Sequence, residues 1–279
     1  MKIFRSALVG VCVCVLAAVC SAQVLKRTTT KTDTIPVGAG STLSIMGAPI
    51  GSVTVNVVQG NDVQISAEIE VQAANEADLA GAAVLTGYLT QESLGKLSIV
   101  SIGRDTRRKF SDAEKKLIKR LAALPYRIDY TIGVPRYTNV EINAGEGDVT
   151  LDGDEGDHRI NVLTGKVNVT VKGGSLAATV AKGELKINVP PSGRRGLNIE
   201  ASVVAGDLSI TIPENLSGEI DASILRNGTI LNQIPALKVR DRKLPFTEKL
   251  VQARAGAGGP AIKLTVGDGS LWLKRWVQQ

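Results

Sequence analysis

The chain has 279 residues, a formal net charge of +6 and only 3% aromatic side chains. A charge this small on a chain of this length gives no basic surface of the kind that nucleic acid requires, so we expect no nucleic-acid partner. The three cysteines, Cys12, Cys14 and Cys20, all lie near the start. The rest of the chain therefore has no thiol for catalysis, disulfides or zinc–thiolate sites.

The first 22 residues are predicted to be a secretory signal peptide. Lys2 and Arg5 precede an apolar stretch over residues 7–19, and the small residues Ser21 and Ala22 follow. This stretch is shorter than the roughly 20 apolar residues that span a bilayer. We expect an exported mature chain without a transmembrane span, located in the periplasm, on the cell surface or outside the cell. Whether Cys20 carries a lipid stays open.

Three further segments are predicted after the signal peptide. Residues 23–36 are expected to be a polar lead-in, and residues 37–135 an N-terminal β region with helical insertions. Residues 136–279 are expected to hold C-terminal β repeats. One short helix is predicted after Asn75, a good N-cap residue, and a second after Ser111, which has Glu114 at the capping-box spacing.

The clearest pattern in the sequence is a glycine every nine residues. The series consists of Gly147, Gly156, Gly165, Gly174 and Gly183. After each of the last three glycines, apolar residues alternate with polar ones, which is the period of a strand with one buried side. The inward set is Val167, Val169, Val171, Leu176, Ala178, Val180, Leu185, Ile187 and Val189.

These units predict an all-β fold, a stacked-strand β-solenoid or β-roll. Each nine-residue unit is one strand and a tight corner, and two units, about 18 residues, make one coil with one or two short helical insertions elsewhere. A single strand of this kind cannot bury its apolar side alone, whereas stacked copies can.

The stretch "YRIDYTIGVPRYTNVEINAGEGDVTLDGDEGD", with Gly-x-Val/Leu-x-Val/Ile restarts after a "VP" strand, resembles the bacterial putative-adhesin family. The likeness extends from about Val37 to Leu273 and rests on the rhythm of the repeats. The resemblance implies an exported β-solenoid domain of unassigned function, located in the cell envelope, with a non-enzymatic adhesive or scaffolding role. It implies no catalytic residues.

An acidic cluster occupies "GEGDVTLDGDEGDHR", and its carboxylates have three interpretations. Asp152, Asp154 and Asp157 are weak candidates for a calcium site, although their spacing matches no known calcium loop. Together with Asp148 they are candidates for the acid and base of a polysaccharide-acting β-helix enzyme. The third interpretation is structural, since Asp after Gly is a good turn residue. We favour this interpretation because the region has no aromatic residue on which a sugar could stack.

Nucleophilic catalysis has little support in this sequence. His158 is the only histidine, and it occupies an inward position of its unit. No Gly-x-Ser-x-Gly elbow is present. We therefore predict no enzyme activity, no catalytic residue and no cofactor.

A basic segment over residues 104–121 carries eight cationic and three anionic side chains, a net +5. A basic amphipathic helix can lie on an anionic surface, although solvated charges on a packed helix are the commoner case. We expect a non-enzymatic envelope adhesin or surface scaffold whose partner is an envelope polymer, a membrane surface or another surface protein. It would bind through its repeat face or through this insert. The candidate binding residues of the insert are Arg104, Arg107, Arg108, Lys109, Lys115, Lys116, Lys119 and Arg120.

Overall fold

A computed structural model of the protein describes residues 24–38, 40–102, 111–191, 197–242 and 244–276. In these ranges the chain is mostly β, with two helices, as the sequence predicts. The helices are α1 (Glu76–Leu85) and α2 (Asp112–Leu121). The strands are β1 (Leu25–Pro36), β2 (Thr42–Met46), β3 (Val53–Val57), β4 (Asp62–Ala73), β5 (Gly87–Ser93), β6 (Lys96–Ile102), β7 (Tyr126–Val134), β8 (Asn139–Glu146), β9 (Val149–Asp154), β10 (His158–Val171), β11 (Ser175–Asn188), β12 (Asn198–Ile212), β13 (Gly218–Ile224), β14 (Ile230–Asn232), β15 (Lys238–Val239), β16 (Leu250–Ala255), β17 (Ala261–Asp268) and β18 (Leu271–Arg275).

The three long strands β10, β11 and β12 lie side by side in parallel. Val167 of β10 pairs with Val149 of β9 on one side and with Leu185 of β11 on the other, so paired residues are 18 apart along the chain. Leu185 pairs with Leu208 of β12, an offset of 23. The five additional residues belong to the connection between β11 and β12. Both halves of β12 therefore pair with β11 at the same offset.

Each long strand contributes its two halves to two different layers of the sheet. Layer A contains the first halves of β10, β11 and β12 together with β5, β6, β2, β8, β17, β13, β16 and β15. Layer B contains the second halves together with β1, β4, β7, β3, β9, β18 and β14. Strands that come early and late in the chain thus share both layers.

The core lies between the two layers, because both turn their apolar side chains to the same interior. The inward residues predicted from the repeats, such as Val167, Val169 and Val171, are all buried. They belong to one continuous cluster with residues of β2, β3, β7 and β17. Burial of β-branched side chains from both layers therefore supplies the hydrophobic stabilisation of the whole stack.

Most of residues 23–36, the expected polar lead-in, forms a strand. Leu25–Pro36 forms β1, which pairs antiparallel with β4 over its whole length, from Leu25 opposite Ala73 to Pro36 opposite Asp62. Because β1 is rich in threonine, its sequence shows no alternation of apolar and polar residues. Threonine is nevertheless a favourable strand residue, because its branched side chain suits a pleated surface.

Both helices lie where the sequence predicts them. The side chain of Asn75 accepts a hydrogen bond from the backbone N–H of Asp78 and so caps α1. In α2, Ile118 and Leu121 are buried, whereas Leu117 is exposed. Leu121 packs closely on Gly81 of α1.

A column of glycines marks the corner between the two layers. In each of them φ lies between 134° and 155°, and a Cβ would stand 1.8–2.0 Å from a carbonyl oxygen of the adjacent coil. Only a residue without a side chain fits such an approach. The column is Gly51, Gly147, Gly165, Gly183, Gly206, Gly269 and Gly228.

Substituting one glycine of this column should destabilise the whole fold. In Gly183→Ala the new Cβ meets the carbonyl of Gly165, and the backbone must also hold a left-handed conformation. We expect the free energy of unfolding to fall by about 2–5 kcal/mol, from backbone strain and overpacking together. Urea denaturation measures it. The matched control is Gly87→Ala, whose Cβ would meet nothing within 4 Å; equal midpoints for the two variants would contradict the argument.

Candidate functional site

Two carboxylates of the acidic cluster act as caps for the backbone of the adjacent coil. Asp148 accepts a hydrogen bond from the backbone N–H of Lys166 at 2.9 Å. Asp157 accepts from the backbone N–H of Ser175 at 2.9 Å and from its hydroxyl at 2.7 Å. Both contacts join residues 18 apart, so these carboxylates stabilise the stacking of one coil on the next.

The structure does not gather the acidic cluster into one site. Asp148 and Asp157 stand at opposite ends of β9, a strand of six residues that spans roughly 20 Å. Glycosidase carboxylate pairs are about 5–10 Å apart. Asp152 is exposed on layer B, and the side chain of Asp154 lies outside the described part of the structure. Among the described side chains, no three of His, Cys, Asp or Glu are placed to share a metal ion.

His158 is buried on the inward side of layer A, as predicted. Its strand neighbours in the pairing are Val140 and Leu176. The pKa of the adjacent Asp157 is lowered, first by the hydroxyl and then by the backbone N–H of Ser175, with the charge of His158 as a smaller cause. Asp157, which precedes His158 in the chain, is thus already engaged with the backbone and hydroxyl of Ser175.

The basic insert is described only in part. Arg104, Arg107, Arg108 and Lys109 lie outside the described residues. In α2, Lys115 pairs with Asp112 at 2.8 Å and Arg120 pairs with Asp78 of α1 at 2.5 Å. The Arg120 pair joins the two helices. Lys116 and Lys119 are exposed, and no helix in the described ranges is long and apolar enough to cross a membrane.

A groove of about 580 Å³ lies between β1 and the end of α1, where the stack begins. Ile69 and Val71 line it, and Lys31 stands 4.1 Å from the centre of the Tyr88 ring. The Tyr88 hydroxyl donates to Asp33 at 2.8 Å, and burial is the main cause that raises its pKa. Lys31 also pairs with Asp33 at 3.6 Å. The polar groups of the groove therefore bind one another and tie β1 to β5.

The outer side of layer A carries charges that pair with each other. Ion pairs run along this surface from one strand to another and neutralise it locally. They are Lys96–Glu141 at 2.7 Å, Lys263–Glu200 at 2.9 Å, Arg240–Asp221 at 2.7 Å and Arg254–Glu219 at 3.0 Å. Because these side chains are partly solvated, each pair stabilises the fold only weakly.

Ion pairs such as Lys26–Glu70 and Arg127–Asp129 lie on the outer side of layer B toward β1. The middle of this side is lined mostly by hydroxyl and amide groups. We name it the hydroxyl–amide face. Within the described residues the side chains of this face make no hydrogen bond with another protein group, and they project in rows about 4.8 Å apart between strands. Asp152 and Lys186 are charged interruptions. Its members are Thr54, Asn56, Thr131, Thr150, Asn168, Thr170, Asn188 and Thr211.

Sequence reasoning predicted a polar outer surface on the repeats but missed the difference between the two layers. That difference depends on which polar residues become neighbours across strands. A charge meets its partner 45 or 63 residues away, as Lys96 meets Glu141 and Lys263 meets Glu200.

No known family profile matches the sequence, and no curated protein matches it. Among solved structures, a putative cell adhesion protein from Clostridium sporogenes is 12% identical, with a TM-score of 0.46 over 89% of this chain and 100% of that one. A putative adhesin from Bacteroides fragilis is 13% identical, with a TM-score of 0.34 over 88% and 97%. A putative lipid binding protein from Parabacteroides distasonis is 11% identical, with a TM-score of 0.26 over 88% and 96%. Likeness at this level does not assign the chain to a family.

Removing the cap at Asp157 should weaken the fold in a pH-dependent way. At pH 7 we expect Asp157→Ala to lose about 0.5–1.5 kcal/mol of unfolding free energy, because Ser175 loses its acceptor. The native pKa of Asp157 is lowered, so its contribution is present above the ordinary carboxyl pKa of about 3.9 and is lost as the pH falls through the lowered value.

Urea midpoints of the wild type and Asp157→Ala between pH 7 and pH 2 measure this effect. The difference between them should be constant down to about pH 4 and should shrink below it. Asp152→Ala, which removes an exposed carboxylate on the neighbouring strand, is the control and should change the midpoint little. If the difference in urea midpoint between the wild type and Asp157→Ala widens in acid, Asp157 is not a charged cap.

Proposed function

We propose that the protein is an exported, non-enzymatic scaffold of the cell envelope that binds a polar envelope polymer through its hydroxyl–amide face. Residues 1–22 serve as the secretory signal peptide. The remaining chain forms a solenoid in which two nine-residue units make one coil. The function is adhesive or structural, and it uses an extended surface.

The solenoid part of this proposal is supported by the register of the long strands. Pairing at an offset of 18 recurs from β8 to β10 and from β10 to β11. The glycine column recurs at the same offset, with Gly147, Gly165 and Gly183 stacked directly on one another. A chain that repeats its corner every 18 residues repeats its outer side chains as well, and this repetition makes a regular surface.

The observation that carries the binding proposal is the contrast between the outer side of layer A and the hydroxyl–amide face. Ion pairs join the strands of layer A, whereas the hydroxyl and amide groups of the hydroxyl–amide face are left to solvent. A polymer rich in hydroxyl or amide groups can exchange hydrogen bonds with several rows at once. Each contact contributes only about 0.5–1.5 kcal/mol, so binding depends on many contacts acting together.

A second candidate surface is the basic helix α2. Lys116 and Lys119 are exposed there, and they form no ion pair within the described residues. These cations would attract anionic lipid headgroups or acidic polymers, and salt would screen that attraction. The two candidates therefore differ in their response to ionic strength.

The polysaccharide-acting enzyme is the less favoured alternative. It requires two carboxylates on either side of one glycosidic bond. Asp148 and Asp157 are engaged with adjacent coils at opposite ends of β9, and Asp152 lies on the outer side of layer B. Release of reducing ends from envelope polysaccharide by the purified protein would support this alternative.

Co-sedimentation of the purified protein with isolated bacterial envelopes tests the proposal. Thr170→Glu places a charge in the middle of the hydroxyl–amide face, and we expect it to weaken binding about tenfold, through the loss of hydrogen bonds and the burial of a charge. The matched control is Thr42→Glu, which makes the same change on the outer side of layer A. It should bind like the wild type.

A third variant and a second salt concentration separate the two candidate surfaces. Lys116→Gln/Lys119→Gln should retain binding. Binding should also persist at about 1 M salt, where the Debye length is about 3 Å and attraction between exposed charges is largely screened. If binding is lost in this double variant or at high salt while Thr170→Glu binds normally, the hydroxyl–amide face is not the site.

A further inference from the structure

A row of exposed apolar side chains follows the edge where layer A meets the glycine column. Leu163 is 63% exposed, Val204 48% and Leu225 67%. These residues are far apart in sequence, and each stands at the same position of its coil. Ala181 and Gly267 occupy the two positions between them. We name this row the corner stripe.

The strand pairing on both sides sets the order of the corner stripe. Val162 pairs with Val180, Val180 with Val203, and Val203 with Val266. The residue that follows each of these four valines in the chain belongs to the corner stripe. Leu225 completes the row, since its backbone N–H donates to the carbonyl of Val266 at 2.8 Å. The order is Leu163, Ala181, Val204, Gly267, Leu225, and at about 4.8 Å per strand the row is roughly 19 Å long.

The residues flanking the stripe are neutral on one side and charged on the other. On the layer A side lie Asn161, Thr179, Ser202, Thr265 and Ser223. On the other side Lys182 stands beside Ala181, and Asp268 stands beside Gly267. Lys182 makes no ion pair within the described residues. Asp268 is held at 2.6 Å by Arg226, whose guanidinium also lies against Gly267.

We propose that the corner stripe is the interface of a homodimer in which two copies pack antiparallel about a two-fold axis at Val204. The stripe complements itself in this orientation. Leu163 meets Leu225 of the second copy, Val204 meets its own equivalent, and Ala181 meets Gly267. Lys182 then faces Asp268 of the second copy, and this contact occurs twice. An isologous interface requires this reciprocity.

The size of the stripe indicates a weak dimer. One row of five residues with its flanks is smaller than the roughly 800 Å² per partner of a standard interface. The expected dissociation constant is therefore micromolar or weaker. The dimer does not depend on the proposed polymer binding, and it needs no ligand to be observed.

Analytical ultracentrifugation of the purified protein over about 1–500 µM, a range around the expected micromolar constant, tests the dimer. The wild type should move from monomer to dimer, and Val204→Glu should weaken the association at least tenfold, because two carboxylates would face each other across the axis. The control is Val84→Glu, at a valine of α1 that is 85% exposed, more than Val204. A wild type that stays monomeric throughout, or a Val204→Glu variant that dimerises normally, would overturn the proposal.

Single-cysteine variants test the antiparallel register. A mixture of Leu163→Cys and Leu225→Cys proteins should form a disulfide-linked dimer on oxidation. Each variant alone should not, since its two copies of the cysteine would be about 19 Å apart, beyond the reach of a disulfide. If either variant cross-links alone, and the mixture gives no more cross-linked dimer than the single variants, this register is wrong. If the protein stays monomeric but floats with phospholipid vesicles, and if Val204→Glu abolishes this flotation, the corner stripe binds membranes instead.

Discussion

The structure depends on the close approach of backbones at the glycine column. The carbonyl oxygen of Gly165 lies 1.9 Å from the point where a Cβ of residue 183 would stand, and the same relation recurs along the column. This contact holds successive corners in one line. With the corners in line, β10, β11 and β12 stay paired in both layers, with an offset of 18 residues from β8 and β9 to β10 and from β10 to β11.

The side chain after the corner glycine uses the same geometry. Asp148, Asp157 and Asp207 each follow a glycine, and each accepts a hydrogen bond from the backbone of the adjacent coil. Two members of the acidic cluster, Asp148 and Asp157, are therefore caps at different corners. The repeat therefore explains the carboxylates, and no ligand is needed to account for Asp148 or Asp157.

Much of the repeat region could be predicted from sequence, because period-two alternation and regular glycines are local signals. The burial of Val167, Val169 and Val171 follows from them directly. The N-terminal half could not be placed in this way. Leu43 of β2 pairs with Val140 of β8, 97 residues away, and no local pattern encodes that pairing. The corner stripe is hidden for the same reason, since Val204 and Leu225 become near neighbours only through the intervening strand β17.

The two proposed surfaces have compatible positions in the coil. The hydroxyl–amide face belongs to the second halves of the long strands, and the corner stripe lies at the end of the first halves. Pairing two copies through the stripe thus leaves Thr170 and its row uncovered. A dimer would present two such faces, and the second would bind at a high effective concentration once the first is bound. Weak hydrogen bonds to a neutral polymer, each too small to hold the protein, would then act together across both copies.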